Sequence, residues 1–145
     1  MMRILAMVIL NFTLLTSAYA AADLLVVMQK NAPVEKLDRH QVVDIFMGRN
    51  NMLNSDQKYR VFDQNTVTGI RESFYRQLVN RSETQIDAYW ARLLFSGRTT
   101  PPTMIKGMDE LVQKVVQTPG GIAYISRDKL VDDLKVVYEF SAPRQ

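Results

Sequence analysis

The 145-residue sequence has no cysteine and a single histidine. Without cysteine there is no disulfide, no thiol nucleophile, no thiolate metal site and no residue to carry an N-terminal lipid. A nucleophilic pair built on serine would have to use His40, and no Gly-x-Ser-x-Gly motif accompanies it. His40 falls at the start of a capped helix and reads as a surface residue. No metal-ligand spacing occurs, and the adjacent acids Asp109-Glu110 and Asp132-Asp133 would diverge on a helix or strand. Neither a Gly-rich loop ending in Gly-Lys-Ser/Thr nor Gly-x-Gly-x-x-Gly is present. The formal net charge is only +3, with basic residues spread among nearly as many acids. A nucleic-acid binder should show a concentrated basic stripe, and none is visible in the sequence. The expectation is a non-enzymatic chain with no cofactor, no metal and no nucleic-acid partner.

What is present begins with a leader. Met1-Met2-Arg3 is a short basic start, Ile4 to Leu15 is nearly all apolar, and Ala18-Tyr19-Ala20 places small residues at the cleavage positions. Residues 1–20 therefore read as a secretory signal peptide, a retained anchor being the alternative. No other segment approaches membrane length, so residues 21–145 are expected as one exported domain without stable membrane insertion.

Along that domain, Leu24 to Met28 is a continuous apolar run suited to a strand buried on both faces, as in parallel sheets. Asp38 with Gln41 forms a capping box for a helix whose apolar face is Val42, Ile45 and Phe46, stopped at Gly48. Residues 49–58 are polar and loop-like. Tyr59 to Phe62 reads as a strand, followed by a polar loop and a helix opening at Thr68-Gly69, with Thr68 as N-cap and Ile70, Phe74 and Leu78 facing the core. Ser82 with Gln85 caps a helix striped by Ile86, Tyr89, Trp90, Leu93 and Leu94. A loop over 95–102 leads to a helix from Met108 to Gln117, which Pro119-Gly120-Gly121 ends. Strands are expected at Ile122–Ile125 and Leu134–Phe140, with a turn or short helix between. Strands alternating with helices give an α/β layer fold with a partly parallel sheet.

The chemistry is concentrated in residues 64–71. A helix start with open backbone N–H groups, a hydroxyl at Thr68, no side chain at Gly69 and Arg71 within one turn is an arrangement that can hold an oxyanion. An ordinary capped helix after a loop is the plain alternative.

Four stretches, in order, carry a resemblance. Asn31-Ala32-Pro33-Val34 with Leu37, then Asp44-Ile45-Phe46-Met47-Gly48, is similar to an "NPV-x-x-L…DIF-x-G" pattern. Val61 to Phe74 is similar to "V-x-R-x-x-x-SGTR-x-x-F", and Thr118 to Ile125 to "NPGAIGYV". Tyr89-Trp90, Phe95-Ser96-Gly97 and Pro101-Pro102 look like a signature of small single-lobe relatives. The chain thus resembles the phosphate-binding proteins of bacterial ABC transporters, within the type 2 periplasmic-binding superfamily. The resemblance implies a single lobe of that fold, α/β with a mixed, mostly parallel sheet flanked by helices, in the periplasm. It implies phosphate or a similar small oxyanion as ligand, held by Gln64, Thr68, Gly69, Ile70 and Arg71, with Thr66 added for its loop hydroxyl. Gln64 stands where the family has an arginine, and Ile70 where a hydroxyl is usual; Arg71 compensates if it folds back toward the helix start. One lobe is half a site, so an ABC transporter, an envelope protein or a second copy is the expected partner. A module that has lost anion binding and docks a protein, by the same surface or by the 98–102 loop, is the other reading.

Overall fold

The computed structural model describes residues 23–65 and 67–140. The expected leader, residues 1–20, and Thr66 lie outside the described residues. The elements run β1 (Leu24–Gln29), α1 (Arg39–Phe46), β2 (Arg60–Gln64), α2 (Ile70–Val79), α3 (Glu83–Ser96), β3 (Thr103–Ile105), α4 (Met108–Gln117), β4 (Gly121–Ser126) and β5 (Leu134–Glu139), with a 3-10 turn at Arg127–Lys129.

One five-stranded sheet has the order β3-β2-β4-β1-β5. β2 pairs in parallel with β3 and β4, whereas β1 is antiparallel to both β4 and β5. The sheet is mixed, as expected, but its pairings divide evenly between the two senses. The apolar run of β1 suggested parallel neighbours, and this is corrected: both of its partners are antiparallel. The run is apolar because both faces are covered, which does not depend on strand direction. Leu24, Val26 and Met28 join one core cluster with α1, α2 and α3, and Leu25 and Val27 join another against α4.

The first core is built on aromatic contacts. Phe74 of α2 stacks on Tyr124 of β4 at 3.8 Å between centroids, and Phe46 of α1 meets Phe74 edge-on at 4.8 Å. Burying such rings contributes most of the packing energy available to a domain held without disulfides. Both expected capping boxes form: Asp38 accepts from the Gln41 N–H and Ser82 from the Gln85 N–H, each glutamine side chain accepting in return. Trp90 is buried, as its place in the apolar stripe predicts, whereas Leu94 at the end of that stripe is exposed.

Two boundaries differ in ways that matter for the site. β2 continues through Asp63 and Gln64, residues that read as loop because they are polar. The α2 N-cap is Gly69, not Thr68, and the helix begins at Ile70. Gly69 adopts φ +74°, a left-handed conformation that a β-branched threonine disfavours.

Candidate functional site

β2 and β3 run in parallel and end side by side at Gln64 and Ile105. Each is followed by a loop and a ten-residue helix, α2 after β2 and α4 after β3. Both helices have glycine at the N-cap, Gly69 and Gly107, so no cap side chain occupies the first-turn N–H groups. Between these helix starts lies a cavity of about 400 Å³ lined by Gln64, Asn65, Val67, Thr68, Ile70, Gly107 and Met108. Its position, at the carboxyl ends of parallel strands in an open α/β sheet, is where such folds bind ligands. Two helix dipoles direct their positive ends into one small space.

The sequence-predicted residues are distributed as follows. Gln64, Thr68 and Ile70 line the cavity, and Gly69 links them in the chain. Gln64 is fully buried at the end of β2, where its Nε2 donates to the Tyr124 carbonyl at 2.8 Å. That leaves Oε1 buried without a hydrogen-bond partner, so Gln64 presents an unpartnered acceptor where the sequence reading expects a donor. Arg71 is also buried. Its Nε bonds Asp63 Oδ2 at 3.0 Å, and its Nη2 pairs with Asp87 Oδ1 at 3.0 Å. Burial lowers the basicity of Arg71, but the charge and hydrogen bond of Asp63 outweigh this and hold it above its ordinary value. The guanidinium is thus anchored inward, and the expected fold-back toward the helix start is not the conformation observed.

Asp63 is the residue that sequence reasoning missed. Its Oδ1 accepts from the Gln64 N–H at 2.8 Å and from the Tyr124 hydroxyl, and its Oδ2 from Arg71 and the Tyr75 hydroxyl, the latter at 2.9 Å. A carboxylate meeting four donors is satisfied although it is buried. Burial raises Tyr75 and Tyr124 well above the usual phenol range, and the charge of Asp63 adds to this. The network ties β2, β4 and α2 together and fixes where α2 begins. Gly107 and Met108 were missed too. Their helix is legible in the sequence, but its convergence with α2 depends on the parallel pairing of β2 with β3, a strand of only three residues.

His40 is exposed and lies 3.3 Å from Asp44, in agreement with a surface role. Among the described residues no group of acids and histidine is arranged to hold a metal ion, and no helix is long and apolar enough to cross a membrane.

No protein-family model matches the sequence, and no curated protein matches it. Solved structures do match by shape. An ABC-type phosphate transport receptor from Vibrio cholerae superposes with a TM-score of 0.62 at 19% identity, over 82% of this chain and 47% of the receptor. A Clostridium perfringens protein described as a phosphate ABC transporter substrate-binding protein, solved with bound phosphate, gives 0.64 at 20% identity, over 81% and 45%. PstS from Borrelia burgdorferi gives 0.56 at 16% identity, over 74% and 42%. The chain shares its fold with phosphate-transport binding proteins. It spans a little under half the length of each.

Proposed function

We propose that the protein is an exported, non-enzymatic solute-binding protein of the periplasm, with a signal peptide at 1–20 and a single binding domain at 21–145. Its ligand is phosphate or a similar small oxyanion, taken at the cavity between the starts of α2 and α4. The observation that carries this reading is the convergence of two glycine-capped helix starts on one cavity at the strand ends. The shared fold with a protein that holds phosphate supports it. Backbone N–H groups of Gly69 and Ile70 and the Thr68 and Thr66 hydroxyls donate to the anion. Arg71 contributes its charge from behind, already matched by Asp63 and Asp87. Each helix terminus adds about 0.3–1 kcal/mol, so affinity is modest until a transporter, an envelope protein or a second copy covers the cavity. Gln64 Oε1 can only accept, which favours an oxyanion that still carries a proton.

Calorimetric titration of the purified protein with phosphate and then sulfate tests this. Phosphate should bind more tightly than sulfate near neutral pH, because hydrogen phosphate has a proton to donate and sulfate has none. Gly69→Asp and Gly69→Asn are the informative variants. Both residues tolerate left-handed backbone, and an added Cβ at 69 meets nothing within 4 Å. The aspartate should abolish binding by placing its carboxylate at the helix start, whereas asparagine should weaken it less. No heat at millimolar phosphate from folded protein sinks the proposal.

A further inference from the structure

The opposite end of β2 carries a second, larger feature. A groove of about 1430 Å³ opens where the 49–60 loop, the C-terminal turn of α3, the 97–103 loop and the end of α4 meet. Lys58, Arg60, Arg98 and Lys114 line it, against one carboxylate, Asp56. None of the four cations has a carboxylate partner among the described residues. Basic residues that look scattered in the sequence are therefore gathered, and the excess in this groove equals the formal +3 of the whole chain. Trp90 forms part of the groove wall, and its indole Nε1–H is buried with no acceptor. Leu94 on the wall is 56% exposed, and its neighbour Phe95 is 98% exposed.

We infer that this groove docks an acidic, extended polypeptide segment of a partner protein. Its volume exceeds the roughly 300–1,000 Å³ of small-molecule pockets. Unpaired cations beside exposed apolar side chains fit glutamate or aspartate alternating with leucine-like residues. β3, whose Thr103 lines the groove, is an edge strand with no strand on its outer side, so main-chain groups of an incoming segment have groups to pair with. Single-stranded nucleic acid fits less well. It needs a run of open aromatic faces for stacking; of the lining aromatics Trp90 and Phe62 are buried and Tyr59 is half-buried, and Phe95 beside the groove is a single open ring.

Trp90 is the only tryptophan, which makes it an internal reporter. The test uses the purified protein and a fluorescein-labelled peptide of alternating glutamate and leucine, followed by anisotropy and, with unlabelled peptide, by Trp90 emission. Binding that weakens with salt, shifts the emission and falls about tenfold or more in the Lys58→Glu/Arg98→Glu double variant supports the inference. Both side chains are exposed, so the variant should keep its fold, which circular dichroism checks. Equal binding of a lysine–leucine peptide, tighter binding of a thymidine oligonucleotide, or indifference to the double variant overturns it. So does the absence of any binding. Phosphate calorimetry on the same variant should be unchanged, so the two sites fail or stand separately.

Discussion

Asp63 is where the residue scale is most consequential. It places a carboxylate in the interior and surrounds it with the Gln64 N–H, the Tyr75 and Tyr124 hydroxyls and Arg71. Removing its charge leaves Arg71 with only the exposed Asp87. Asp63→Asn should therefore cost about 3–5 kcal/mol, as breaking a buried pair does, read as a shift in the urea midpoint. Alkaline pH should act on the same network. Tyr75 and Tyr124 are held neutral in the fold, with native values raised by burial and then by Asp63. A tyrosine in the unfolded chain ionises near pH 10. The stability they contribute is fully present below that pH and is lost as pH rises toward the native values. The melting temperature should fall above about pH 10, and Tyr75→Phe should flatten that fall while lowering stability at neutral pH. An unchanged slope would mean that Tyr75 does not govern the alkaline limb.

At the scale of elements, the helices divide by how they begin. α1 and α3 open on side-chain capping boxes, whereas α2 and α4 open on glycines. The first pair satisfies its own N-terminal groups and is structural. The second pair has no cap side chain on those groups, and both helix starts line the cavity. Contact between elements is close where α1 ends against α3: a Cβ built on Gly48 would stand 2.7 Å from Trp90 Cη2, and φ there is +70°. Gly48→Ala should cost about 1–3 kcal/mol through overpacking and should shift Trp90 emission in the folded protein. Wild-type emission and stability in this variant would show that the loop after α1 yields more easily than its packing indicates.

The whole molecule has two ends along β2, the cavity proposed to take an anion where the parallel strands finish and a basic groove where β2 begins. Export is the condition for the proposed role, and it makes a direct prediction. N-terminal sequencing of the protein from an osmotic-shock fraction should begin at Ala21. An intact Met1 in the membrane fraction would favour the retained anchor. Local signals in the sequence determined a good deal: the capping boxes at Asp38 and Ser82, the bounds of α4, the buried run of β1 and the core faces of α1 and α2. Each depends on neighbours within a turn or on a period that burial imposes. The resemblance of residues 64–71 to an oxyanion loop was legible for the same reason, because one helix start is a local object. Only the tertiary structure decided that Asp63 and Gln64 are buried strand residues, that Arg71 turns inward, and that α4 shares the cavity with α2. It also decided that Lys58, Arg60, Arg98 and Lys114 face one groove. Those facts follow from which strands lie side by side, and a short strand such as β3 leaves almost no periodic mark on the sequence while fixing which distant residues meet.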